Sequence, residues 1–141
     1  MDQEAVFTGM DFREDDFTGH RLREVKFVEC DLSRVHFTDA LLEHGEFVRC
    51  TMGDIDFERA RICHVRMEEC TLSGCIFKDS LLYHVRFDRC MMKNGTFFQG
   101  KLINVDFNDT ELYASIFTWA VMKDVSCLGN EWITYKAFVC Q

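Results

Sequence analysis

From Phe7 to Met122 a large apolar residue stands at every fifth position, and no insertion breaks the count. The twenty-four residues at positions ending in 2 or 7 are twelve Phe, seven Leu, four Met and one Ile. The stretch FVECDLSRVHFTDALLEHGEFVRC shows the grain: Phe27, Leu32, Phe37, Leu42 and Phe47, with charge between them. A second column runs two residues ahead of the first, at positions ending in 0 or 5. From Val25 to Ala120 it holds only Val, Ile, Cys, Ala, Gly, Ser and Thr.

One inward residue, one outward and one inward again is the alternation of a strand. A strand continued through the whole repeat would send successive repeats to opposite faces, because five is odd. A helix would rotate the stripe by about 140° per repeat. The pattern therefore predicts a chain that turns a corner in every repeat and aims each large–small pair at a shared axis.

The number of sides is legible too. Phe dominates positions ending in 7, and Leu and Met those ending in 2, so the pattern alternates with a period of ten. Other columns resolve only at twenty: Cys30, Cys50, Cys70 and Cys90; Ala40, Ala60, Ser80 and Gly100; and, outward, His44, His64 and His84. Four repeats per coil stack like on like. About six coils at roughly 4.8 Å per stacked strand make a rod about 29 Å tall. Phe17 to Phe117 and Phe7 to Phe107 (with Met67) are predicted on opposite walls. Each coil pairs only with its neighbours, so the rod is a solenoid whose open ends need caps.

These residues resemble the pentapeptide-repeat family, in which a small residue and a polar one precede a central Leu or Phe and two variable positions. CDLSR, ALLEH, CTLSG and VDFND are examples, and the likeness covers about residues 5 to 124. It implies an all-β fold, a right-handed quadrilateral β-helix of about six coils, with repeats over 1–124 and a short C-terminal cap over 125–141. The Phe- and Cys-rich flavour of FVECDL, FVRCTM and FDRCMM is more similar to the branch of quinolone-resistance and topoisomerase-protecting proteins than to the Ala-Asn-Leu-rich branch.

The ends depart from the pattern. Asp15 and His20 occupy small inward positions, so the first coil is expected to be irregular or partly open. The tail LGNEWITYKAFVCQ leaves the register and carries Trp132, Ile133, Tyr135 and Phe138; periodicity does not decide between helix and strand. It is expected to cap the last coil. Relatives often dimerise through such a tail, which makes a homodimer one expectation. The N-terminal end shows no comparable cap in the sequence, and a second docking edge is one expectation there.

Composition narrows the class. With 141 residues and 48% hydrophobic content the chain is one folded domain. It has no long apolar run and no basic-then-apolar leader, so a soluble cytoplasmic protein without a membrane partner is expected. Eight cysteines in that compartment are expected as reduced thiols. A net charge of −8 disfavours direct binding to nucleic acid, which needs clustered cations.

Candidate chemistry is sparse. GTFFQGKL, from Gly95 to Leu102, has the spacing of a phosphate-binding loop but lacks the following Ser or Thr, and its glycines fall on the small register. Stacked cysteines on one wall cannot converge on zinc. His44, His64 and His84 are the weak metal candidates, against a solvated ladder that is sensitive to pH. No Ser/His/Asp grouping or carboxylate pair stands out, and the expectation is a non-enzyme without cofactor.

Function is then expected on the outside. The wall of Leu22 to Met122 carries outward Leu41, Leu81, Tyr83, Ile103 and Val121, a partner patch unless the stems of Arg21, Arg61 and Lys101 cover it. The resemblance to the topoisomerase-protecting branch implies a DNA-mimicking surface for a type II topoisomerase such as DNA gyrase, for which Asp11, Asp16, Asp31, Asp39, Asp54 and Asp56 are the candidate residues. About 29 Å of duplex would carry about 17 negative charges. This chain offers a net of eight, broken by Arg86, Arg89, Lys93 and Lys101. The leading reading is a rigid module that binds a protein partner through its faces or cap. DNA mimicry that protects gyrase from quinolone or toxin is the alternative.

Overall fold

The computed structural model describes residues 5–127, so the predicted cap residues Trp132, Ile133, Tyr135 and Phe138 lie outside the described residues. Nine strands are present among those described: β1 (Ala5–Thr8), β2 (Arg21–Arg23), β3 (Val25–Val28), β4 (Leu41–Glu43), β5 (Glu46–Val48), β6 (Arg61–Glu68), β7 (Leu81–Asp88), β8 (Lys101–Asn108) and β9 (Val121–Ser126). Every pairing is parallel, and every partner lies twenty residues away, as in Phe7 with Phe27 and Leu42 with Ile62. One coil is thus four pentapeptides, as the columns predict.

The four walls are of two kinds. Wall I contains residues such as 61–63 and wall II residues such as 65–68, and from coil four upward one eight-residue strand runs through both. Walls III and IV pair through single bridges, for example Asp31 with Thr51 and His36 with Asp56. Each ends in a tight turn: Val35 N donates to Leu32 O at 3.2 Å, and Ala40 N to Phe37 O at 3.0 Å.

The backbone makes its corner at positions ending in 4 or 9. All of these from Gly9 to Asp124 have φ between 49° and 76°, and only Gly9, Gly19 and Gly74 are glycine. A left-handed residue with a Cβ costs roughly 1–2 kcal/mol. Ladder bonds offset this, since the corner amide donates to the next coil, as His44 N does to Cys63 O at 3.0 Å. No β-branched residue stands at any of these corners. Such a side chain is strongly disfavoured at positive φ. Gln99→Val is therefore expected to lower stability by about 1–2 kcal/mol in urea titration, and Gln99→Gly to leave it unchanged or slightly higher.

The core is the predicted pillar. Phe57, Phe77 and Phe97 of wall IV stack with ring centroids 4.7 and 4.6 Å apart, and Phe87 stacks on Phe107 of wall II at 5.0 Å. The two columns meet across the axis edge to face, with Phe97 and Phe107 at 6.0 Å and 86°. Gly45 replaces the valine of its column and leaves a void of about 10 Å³ beside Phe27 and Phe47. The space is lined by Leu22, Val25, Phe27, Leu42, Gly45 and Phe47, which offer a water no polar side chain.

Of the two expectations for the first coil, irregular or partly open, the first is corrected: the coil keeps the full register, with bridges from Asp11 to Asp31 and from Asp16 to His36. Asp15 and His20 escape burial because this is the end coil, and both are exposed. Phe7, Phe12, Phe17 and Leu22 stay half-buried there.

Candidate functional site

The small inward column does more than fill space. Cys50 Sγ donates to Phe27 O at 3.3 Å, Cys70 to Phe47 O at 3.3 Å and Cys90 to Met67 O at 3.3 Å; one coil higher Thr110 Oγ1 makes the same bond to Phe87 O at 3.1 Å. Each thiol satisfies a carbonyl beside the core of the coil below. Burial pushes the Cys75 thiol up to about 12, so it is not a nucleophile. Among the described residues Cys30, Cys50, Cys63, Cys70, Cys75 and Cys90 are free thiols. Gly95 and Gly100 are buried and Phe97 is in the pillar, so GTFFQGKL forms no phosphate cradle.

His44, His64 and His84 stack at the corner of walls I and II, with centroids 4.9 Å apart and planes within 5° and 7° of parallel. The edge of Tyr83 meets His64 and His84, and Asn104 Nδ2 lies 3.4 Å from His84 Nε2. Nitrogen lone pairs lie in the ring plane. Parallel planes at this separation do not aim them at one ion, which needs nitrogens at about 2.0–2.1 Å from a shared centre. Among the described residues no group of three or more His, Cys, Asp or Glu is placed to share a metal.

The acidic candidates are placed together, and most also shape the backbone. Asp11 and Asp31 are on wall III, Asp16 and Asp56 on wall IV, and Asp54 on the corner between them. Each wall aspartate accepts from the amide two residues on: Asp11 from Arg13 at 3.0 Å, Asp16 from Thr18 at 2.9 Å, Asp31 from Ser33 at 3.0 Å and Asp56 from Glu58 at 2.9 Å. These carboxylates pin the turns of walls III and IV. Arg13 also pairs with Asp11 at 2.8 Å, and its hydrogen bonds hold that carboxyl at about 2. Asp39, on the corner of walls IV and I, is taken by Arg59 at 2.8 and 3.1 Å.

On the predicted apolar wall Leu41, Leu81 and Ile103 are half-buried, and Tyr83 and Val121 are exposed. The larger apolar surface is on walls III and IV of coils four to six, where Ile76, Met91, Tyr113 (52%) and Ile116 (50%) are exposed, with Trp119 (76%) on the adjoining corner and half-buried Phe98 between them. Sequence reasoning missed it. The signal was available, since positions 76, 96 and 116 share one outward column and read Ile, Thr, Ile. Within this surface Glu111 Oε2 is buried with no hydrogen-bond partner, and Lys93 Nζ lies 3.8 Å away.

Wall II carries a second feature absent from the sequence reading. Asp88 is 1% exposed and accepts from Arg86 Nε at 2.7 Å, Arg66 Nε at 2.9 Å and Asn108 Nδ2 at 3.1 Å, tying three coils together. Burial works to raise its pKa, but the donors Arg86, Asn108 and Arg66 outweigh it and hold the carboxyl below the ordinary 3.8. Because the folded value is the lower one, this contribution is complete above the ordinary value and is lost as pH falls through the folded value. The arginines are about half exposed and screened by solvent. Asp88→Asn is expected to cost about 1–2 kcal/mol at neutral pH. Its stability should also fall less steeply than that of the parent protein when urea titrations are repeated below about pH 4.

The comparisons agree with this architecture. A search of curated proteins found no match. Among solved structures, a trypsin-treated form of QnrB1, a plasmid-mediated fluoroquinolone resistance protein, is similar with a TM-score of 0.62 and 16% identity over 90% of this chain and 72% of that one. A pentapeptide repeat protein from the cyanobacterium Cyanothece 51142 gives a TM-score of 0.51 and 13% identity over 86% of this chain and 90% of that one. Likeness at such identities speaks to fold alone, a right-handed quadrilateral β-helix. The sequence model of the pentapeptide repeat region matches residues 3–77 and 45–117, which together span most of the protein. The chain belongs to the pentapeptide-repeat family.

Proposed function

We propose that this protein is a non-catalytic rigid rod that binds a protein partner through walls III and IV of its upper coils. The observation that supports this reading is the exposed group of Ile76, Met91, Tyr113, Ile116 and Trp119 gathered on two adjoining walls and their corner, whereas the exposed Val6, Met10, Tyr83 and Val121 lie apart from it. Contiguous apolar exposure of this kind marks interaction surfaces, and a solenoid holds it flat without further ordering cost. A photocrosslinking residue at position 116 should trap a discrete partner in cells of the source organism, and one at position 43 on wall I should not. Equal yields from both positions, or none from either, would remove the reading.

A second reading keeps the acidic half in play. Asp11, Asp16, Asp31, Asp54 and Asp56 share two adjacent walls, as a surface that imitates DNA for a type II topoisomerase requires. Purified gyrase supplies the test. Inhibition of supercoiling, or rescue from a fluoroquinolone, that disappears when Asp31, Asp54 and Asp56 become Asn supports mimicry, and an unaffected enzyme excludes it.

A further inference from the structure

We infer that the partner of this surface is a segment with a basic end and an apolar end, laid along the rod with its basic end over the first three coils. This rests on the partner-binding reading above and adds the chemistry and direction of the occupant.

Walls III and IV divide sharply along the axis. In coils four to six they present Ile76, Met91, Phe98, Tyr113 and Ile116. Their one outward carboxylate there, Glu111, faces Lys93. Below, the same columns are acidic. Arg13 and Arg34 are matched to Asp11 and Glu14, at 2.8 and 3.0 Å. Asp16, Asp54 and Asp56 have no ion-pair partner among the described residues. The turn bonds of Asp16 and Asp56 use Oδ1 and leave the second oxygen to accept from a visitor. A partner that covered only the apolar half would bury roughly 300 Å² of the rod at strand spacing, well short of the about 800 Å² per side typical of a specific interface. Continuing onto the acidic half roughly doubles the contact, and cations are what that half would reward. First coil to last is about 24 Å, the reach of about seven extended residues. A second copy fits less well, because lengthwise antiparallel pairing of these walls would set carboxylates over apolar side chains.

The probe is a synthetic peptide, KRKRGSLIWL, carrying a nitroxide at one end or the other and titrated into the ¹⁵N-labelled full chain. The basic-end label is expected to broaden the amides of Asp16 and Asp56, and the apolar-end label those of Ile76 and Ile116. Replacing the basic half with SGSG should weaken binding about fivefold. Asp16→Asn, Asp54→Asn and Asp56→Asn together should do the same to the intact probe, with the turn acceptors retained. Broadening confined to the upper half, with affinity unchanged in the triple variant, overturns the inference while leaving the apolar docking reading intact. Reversed polarity overturns it as well, as does absence of any shift at about 1 mM probe, or saturation of the wall by a second copy of the chain. The parent reading is judged apart from all of these, by the crosslink from position 116.

Discussion

Deleting Asp79 alone is expected to unfold the upper half of the rod, whereas deleting residues 61–80 is expected to leave a shorter rod that still folds. The reason is register. Every ladder pair is twenty residues apart, from Ala5 with Val25 to Asp106 with Ser126. Removing one corner residue moves each later side chain back by one place. The core positions now held by Leu82, Phe87, Met92 and Phe107 would receive Tyr83, Asp88, Lys93 and Asn108. Burying an unpaired ion costs several kcal/mol, and folded domains have only about 5–15 kcal/mol in total. Removal of a whole coil instead joins Ala60 to Leu81 in the place of Arg61, and every column continues. A solenoid then loses one unit and its interface. Circular dichroism and thermal melts distinguish the two: a cooperative strand spectrum for the coil deletion, and loss of much of that signal for the single deletion. A single deletion that melted like the parent protein would contradict the corner geometry itself.

Phe77→Ala should be the most costly single substitution among those considered, at about 3–5 kcal/mol. Its ring is fully buried between Phe57 and Phe97, at 4.7 and 4.6 Å and nearly parallel to both. In many cores part of such a cavity closes by relaxation. Here the coils above and below are held at strand spacing by bonds such as Phe57 N to Ile76 O and Phe77 N to Thr96 O, both 2.7 Å, so little collapse is available. Urea titration should show a lower midpoint at unchanged slope. Ile116→Ala, exposed on the same wall, should stay within about 0.5 kcal/mol. Comparable losses for the two would mean that the pillar does not carry the stability.

How far the linear pattern reaches is clear from particular residues. Phe37, Leu42 and Cys50 declared the period of five, and the cysteine and histidine columns declared the coil of twenty. The corners were equally open to reading, because no β-branched residue occupies any of them. Asp31 and Asp56 were legible as outward carboxylates but not as turn acceptors, since the amide each one takes becomes its neighbour only once the wall bends. Asp88 gave no sign of its burial, for its partners come from positions 66, 86 and 108.

Inward identity repeats in the chain because stacking demands it, and so period, coil size and pillar could be read directly from the order of residues. Outward identity repeats for no such reason. Whether an aspartate pins a turn, an arginine is spent on a neighbour, or Ile76, Phe98 and Ile116 join into one surface depends on contacts between coils. Those contacts exist only after four walls have closed and twenty residues of separation have shrunk to a single strand spacing.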